Sequence, residues 1–315
     1  MSDVELRRLG DSGLTVSAVG LGCNNFGRRV DLDGTKAVVA AALDAGVTLF
    51  DTADIYGESE DYLGKALRGH REHVVLATKF GMDMRGANGP DWGARGSRRY
   101  IRSAIESSLR RLKTEWIDLY QLHAPDPLTP IEETLAALTE LVREGKVRYI
   151  GCSNFAGWEI ADADWTARRH GYERFISAQN HYNLLERDVE VEVVPACERF
   201  GIGVLPFFPL ANGLLTGKYR RGEPPPPNSR LASRPDGIDE GALAVVERIE
   251  AFAAERGVSV LDVAIGGLAA QPAVASVIAG ATTPEQVTAN VAAGTWQPTI
   301  DDLDALDEII TPATH

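Results

Sequence analysis

The sequence predicts a closed (β/α)8 TIM barrel, preceded by a β-hairpin and finished by additional C-terminal helices. Three observations carry this. Eight apolar runs, starting near residues 19, 47, 74, 117, 147, 174, 202 and 275, each precede a segment with helical spacing. The runs lack polar alternation, as expected of parallel strands covered by helices. Titratable and amide side chains collect where the runs end, the face on which such a barrel carries its chemistry. A doubly wound open sheet is the competing architecture, but no Gly-x-Gly-x-x-Gly opens a helix to support it.

The elements follow in order. Residues 4–17 read as a hairpin turning at Gly10-Asp11-Ser12-Gly13. The strand Val19-Gly20-Leu21-Gly22 runs into Cys23-Asn24-Asn25-Phe26-Gly27. A helix from Lys36 to Ala45 stops at Gly46, and the strand Val47 to Phe50 follows. A helix over about 58–67 leads to Val74-Val75-Leu76-Ala77-Thr78-Lys79. Segment 80–96 holds five glycines, a proline and Trp92, and a loop of this length in a compact domain tends to be functional. Ser97 caps a helix with the stripe Ile101, Ile105, Leu109 and Leu112. Strand 117–122 reaches His123. Thr129-Pro130-Ile131-Glu132 has the form of a capping box, and that helix runs to Gly145. Strand 147–152 ends in Ser153-Asn154, and strand 174–178 ends at Gln179-Asn180. Helices cover about 156–169 and 187–199, and strand 202–206 enters Phe207-Phe208-Pro209-Leu210. Residues 219–238, rich in Pro, Gly and Arg, are expected to form a mobile surface loop. Helices follow at about 239–256 and 260–270, then strand 275–279, a capping box of Thr283 and Gln286, and a last helix at about 300–310.

Length and composition bound the function. The 315 residues suit one barrel domain spanning 1–315. A net charge of −13 argues against nucleic-acid and anionic-membrane partners. No run approaches the roughly 20 apolar residues of a membrane span. The start, Met1-Ser2-Asp3-Val4-Glu5, lacks the pattern of an export signal, and three scattered cysteines suggest reduced thiols. The expectation is a cytoplasmic protein. No metal-ligand spacing is present.

The chemistry centres on Leu49-Phe50-Asp51-Thr52-Ala53-Asp54-Ile55-Tyr56-Gly57. With the strands ending at Lys79 and His123, it brings Asp51, Tyr56, Lys79 and His123 to one rim. An unaided phenol ionises near pH 10, and a neighbouring ammonium favours its phenolate. Lys79 is expected to lower the Tyr56 pKa, Asp51 to hold Lys79 charged, and His123 to help polarise a carbonyl oxygen. No side chain donates hydride, so a redox role requires a cofactor.

The motifs Asp51-Thr52-Ala53 with Tyr56-Gly57, Thr78-Lys79, Gln121-Leu122-His123, Gly151-Cys152-Ser153-Asn154-Phe155, Gly213-Leu214-Leu215-Thr216-Gly217-Lys218-Tyr219 and Gly280-Ala281…Gln286…Asn290 stand in one order. In that order the chain resembles the aldo-keto reductases, over nearly its whole length. The resemblance implies reduction of aldehydes or ketones with NADPH, a tetrad of Asp51, Tyr56, Lys79 and His123, and Tyr56 as proton donor. It implies that Ser153, Asn154 and Gln179 bind the nicotinamide carboxamide and that Phe207 stacks on its ring. Leu210, Gly213 and Lys218 match the pyrophosphate loop. Gly280, Thr282, Gln286 and Asn290 match the adenosine phosphate end. The chain departs from many relatives in having no cation between Gly280 and Gln286, which keeps NADH (NAD+) open as a cofactor beside NADPH/NADP+.

Blander readings stand beside these. Ser153 and Asn154 have the residue types of helix caps. Phe207 suits core packing. Gly213 to Lys218 is one residue short of a Walker A loop and lacks the Ser/Thr after Lys. Asn24-Asn25-Phe26 and loop 82–96 are expected to line the substrate pocket. The alternative function is a non-catalytic NADP(H)-binding sensor or regulatory subunit on the same barrel. A Schiff-base role for Lys79 conflicts with an adjacent Asp51, which would raise its pKa. A monomer is expected, with a homo-oligomer as the alternative.

Overall fold

The computed structural model describes residues 4–227, 229–232 and 239–310. Strands β1 (Leu6–Arg8) and β2 (Thr15–Ser17) pair antiparallel, with Leu6 opposite Ser17. Their apolar residues Leu9 and Val16 pack with Leu49, Leu119, Leu205 and Ile278, so the hairpin plugs the barrel floor. Its turn needs glycine at position 10. There φ is +58°, and a Cβ would collide with Gly201 O.

Eight parallel strands follow: β3 (Val19–Gly22), β4 (Leu49–Asp51), β5 (Val75–Phe80), β6 (Ile117–Leu122), β7 (Val147–Ser153), β8 (Phe175–Gln179), β9 (Gly203–Val204) and β10 (Val277–Gly280). From β4 to β9 each pairs with its predecessor, and β10 pairs with β3. Parallel bridges Val204–Val274 and Phe207–Ile278 join β9 to the β10 region and close the ring. The seventh barrel strand is shorter than the expected 202–206 because Pro206 has no N–H to give the ladder; its carbonyl accepts from Ile278 N at 2.9 Å.

Helices α1 (Leu32–Asp44), α2 (Ser59–Ala66), α3 (Arg98–Leu112), α4 (Ile131–Arg143), α5 (Gly157–His170) and α6 (Val189–Phe200) cover the outside in turn. The first begins earlier than Lys36, because the Asp31 carboxylate accepts from Gly34 N at 2.8 Å and caps it. Ser97 caps α3, and its stripe of Ile101, Ile105, Leu109 and Leu112 is buried. The box expected at Thr129 does not form. Thr129 Oγ1 donates to Asp126 at 2.7 Å instead, and Pro130 stands at the helix start.

After β9 come α7 (Glu240–Glu255), α8 (Val260–Ala269), α9 (Pro284–Ala293) and α10 (Ile300–Ile310). Helices α8 and α9 belong to the barrel. The extra pair, α7 and α10, packs Phe252 and Ile249 with Leu306, and Arg256 pairs with Asp302 at 2.6 Å. At α9, Thr283 Oγ1 accepts from Gln286 N. The Gln286 side chain does not return to Thr283; it accepts from Thr282 N at 2.8 Å. No helix among the described residues is long and apolar enough to cross a membrane.

Candidate active site

One cavity of about 540 Å³ opens at the C-terminal ends of the barrel strands. Fourteen of the fifteen residues expected at the site line it: Asp51, Tyr56, His123, Ser153, Asn154, Gln179, Phe207, Leu210, Gly213, Lys218, Gly280, Thr282, Gln286 and Asn290. Lys79 is the exception. It lies fully buried behind the wall, where its ammonium donates to Asp51 Oδ2 at 2.5 Å and to Thr52 O at 2.9 Å. Parallel pairing of β4 with β5 and of β5 with β6 sets Asp51 beside Ala77 and Lys79 beside Gln121.

Burial works against the Lys79 ammonium. The Asp51 and Tyr56 charges outweigh it, and the ammonium is held above the usual lysine range. Tyr56 carries Lys79 Nζ 5.3 Å from its ring centre, and its edge meets the His123 ring at 5.8 Å. Lys79 pulls the phenol pKa down, as expected. Burial is the larger effect and Asp51 adds to it, so Tyr56 ends above the ordinary phenol value. The Tyr56 hydroxyl therefore keeps its proton at neutral pH. His123 is pushed down to about 3 by burial and by Lys79, so its imidazole is neutral. A neutral imidazole has one N–H to donate and one lone pair to accept.

Ser153 ends β7 opposite Gln179. Asn154 adopts a left-handed φ of +59° and donates through Nδ2 to His123 O at 2.9 Å. Neither caps a helix, since α5 begins at Gly157 with Glu159 accepting from Ala156 N. Phe207 stacks one side on His181, with centroids 5.5 Å apart, and is half-buried in the cavity wall. Beyond it the backbone turns through three non-glycine residues at positive φ, Phe208, Ala211 and Asn212, and through Gly213 at +98°. Such conformations gather at ligand-holding sites.

Asn24 and Asn25 also line the cavity, and so do two residues that sequence reasoning missed, Ser229 and Arg230. Asn24 and Asn25 fall on the segment expected there, but Phe26 is core. Residues 82–96 do not line the cavity. Asn88 turns that loop inward and donates to the buried Asp54 carboxylate at 2.8 Å. Burial and the nearby Glu60 charge raise Asp54 to about 7. Ser229 and Arg230 come from the 219–238 segment. Its described part folds back because Tyr219 and Leu231 are buried together with Leu243; positions 228 and 233–238 lie outside the described residues. Two cations, Lys218 and Arg230, stand in this wall.

The residues present fit a nicotinamide dinucleotide. Amides at Asn154 and Gln179 suit a carboxamide, Phe207 offers a flat aromatic wall, and Lys218 beside the Gly213 turn suits a pyrophosphate.

A family model described as Aldo/keto reductase family matches residues 18–311. An uncharacterized oxidoreductase of Bacillus subtilis is 39% identical over 90% of this chain and 89% of its own length. Versiconal hemiacetal acetate reductase of Aspergillus parasiticus is 34% identical over 98% of both chains. A probable voltage-gated potassium channel subunit beta of Oryza sativa is 36% identical over 92% of this chain and 91% of its own. With these matches running over nearly all of the barrel, the chain belongs to the aldo/keto reductase family of oxidoreductases.

Proposed function

We propose that the protein reduces aldehydes or ketones to alcohols with NADPH, and that Tyr56 delivers the proton. The observation that carries this is the buried Asp51–Lys79 ion pair beneath a phenol that faces the cavity next to a neutral His123. A bound reduced nicotinamide supplies the hydride. The chain's own groups do the rest. Tyr56 Oη, protonated at neutral pH, gives its proton to the carbonyl oxygen as negative charge builds there. Lys79 stabilises the phenolate left behind, and Asp51 holds Lys79 in place. The imidazole N–H of His123 is a neutral donor for the same oxygen. Ser153, Asn154 and Gln179 orient the carboxamide, and Phe207 backs the ring.

Preference for NADPH over NADH is supported by Arg230 in the cavity wall, with the Thr282–Gln286 turn at the start of α9. The name of the Aspergillus relative favours a reductase. The channel-subunit name of the rice relative favours the regulatory alternative, and steady NADPH oxidation with simple aldehydes separates the two.

The test is Tyr56→Phe. Turnover is expected to fall about 10²–10⁴-fold, the range for loss of a general acid, with the Kd for NADPH within about twofold of wild type. A variant that keeps more than about a tenth of the rate overturns the donor role, since a true donor is worth far more than that. An NADH Kd equal to or below that of NADPH overturns the cofactor preference.

A further inference from the structure

We infer that Gln121 is a positioning residue for Asp51, and through it for Lys79 and Tyr56; this rests on reading Tyr56 as the proton donor. Gln121 projects from β6 into the barrel interior. It is fully buried and takes no part in the cavity wall. Its Nε2 donates to Asp51 Oδ1 at 3.2 Å. Its Oε1 accepts from Ser177 Oγ of β8 at 3.4 Å. Gln179 Nε2 donates to the same Asp51 oxygen at 3.0 Å. One carboxylate oxygen thus accepts from two amides, and the other accepts from the Lys79 ammonium.

The arrangement spans strands that are not neighbours. Between β6 and β8 runs β7, and at the crossing point it carries Gly151. A Cβ there would collide with Ser177 Oγ and stand 3.2 Å from Gln121 Cγ. A glycine inside a strand marks such a close approach. Packing alone does not require this design. Interiors of barrels of this kind are filled by branched apolar side chains, and one of glutamine's size would occupy the same space. A buried amide is costly unless both its ends are satisfied, and here both are. The feature it serves is the direction of the Asp51 carboxylate. Were that group free to turn, Lys79 would lose the partner that offsets its burial, and Tyr56 would lose its strongest opposition to burial.

The experiment compares Gln121→Leu, Gln121→Glu and Tyr56→Phe with wild type. Gln121→Leu keeps the volume and removes the donor. Its kcat is expected to fall about tenfold or more, with carbonyl KM and NADPH Kd within about twofold, as for loss of an interaction felt only in the transition state. Gln121→Glu keeps the shape but donates to Asp51 only while protonated. Beside the Asp51 charge and in a fully buried place, the new carboxyl holds its proton at the acid end and loses it as pH rises. This variant is expected to run near wild type at low pH and to fall away at high pH, an ionisation absent from wild type and from Gln121→Leu. The groups facing this position are Asp51, Lys79 and, beyond them, Tyr56 and Cys23.

Wild-type kcat in Gln121→Leu overturns the inference. So does a loss without the pH-dependent recovery of Gln121→Glu, which would mean packing alone. If Gln121→Leu does not fold, Ser177→Ala, which leaves the glutamine but releases its Oε1, must lower kcat in the same direction; a wild-type kcat there overturns the inference as well. The two readings fail separately. An active Tyr56→Phe sinks the donor reading, whereas an inactive Tyr56→Phe beside wild-type-like Gln121 variants sinks only the role of Gln121.

Discussion

The two walls of the cavity are built on different terms. One is borne by strands: Asp51, His123 and Gln179 face the cavity from strand ends, Lys79 and Gln121 are buried behind them, and the register of the parallel strands fixes their heights. Its charges are deeply buried, and each contact involves a group with no water to fall back on. The other wall is borne by loops: Phe208 to Lys218 and the returning Ser229 and Arg230, held by turns at positive φ and by one small apolar cluster. The contrast teaches where each kind of task sits. Proton transfer needs groups fixed to fractions of an ångström, and the strands supply that. Holding a long, flexible ligand needs donors that can be arranged late, and loops supply those.

Substitutions can break or sharpen this contrast. The largest effect is expected for Lys79→Met, which strands the Asp51 carboxylate in the interior. Losing one partner of a buried pair costs about 3–5 kcal/mol. A lowered denaturant midpoint should accompany loss of kcat, and a variant with wild-type stability would show that the strand wall is not where stability and chemistry are joined. Next comes Asp54. In the unfolded chain its carboxyl ionises near the ordinary aspartate value of 3.8, and in the fold near 7. Between those values the folded state keeps a proton the unfolded state has lost, so stability falls as pH rises through that window and levels off above it. At about 1.4 kcal/mol per unit the whole effect is at most about 4 kcal/mol. Denaturation of Asp54→Asn at pH values from about 5 to 8 should lack this slope; an unchanged slope would remove Asp54 as its source.

On the loop wall the expected change is smaller and of another kind. Arg230→Met should raise the Kd for NADPH about tenfold, about 1.4 kcal/mol, and leave kcat at saturation alone. A drop in kcat without a change in Kd would place Arg230 with the strand groups. The smallest effect is an expected flatness. With His123 neutral, kcat should show no imidazole inflection between about pH 5 and 8. An inflection there that disappears in His123→Gln would contradict the burial of that ring.

The same contrast decides what could be read from the sequence. The strand wall was legible because an apolar run that stops at one titratable or amide side chain is a local signal. Asp51, Lys79, His123 and Gln179 all carry it. The helix cap at Ser97 was equally local. Arg230 was not legible. A stretch of four prolines with glycines and arginines reads as solvent-facing, and the residues that fold it back, Tyr219 and Leu231, contact each other across its ends. That apolar pair was the available clue. Loop 82–96 erred in the other direction. Its composition suggested a pocket wall, while Asn88 spends its side chain on Asp54, a pairing across 34 residues that periodicity does not report. The acidity of Tyr56 was half legible: the helper lysine is visible in the sequence, and the burial that outweighs it is not.

The hairpin under the barrel carries a consequence for how the chain is made. Leu9 and Val16 find their partners on strands from one side of the ring to the other, including Ala275 and Ile278 near the far end of the polypeptide. During synthesis the cluster around those two residues therefore stays incomplete until Ala275 and Ile278 have followed. The ring cannot be sealed from below before its last strand arrives, which makes completion of this fold a single late event rather than a gradual accretion.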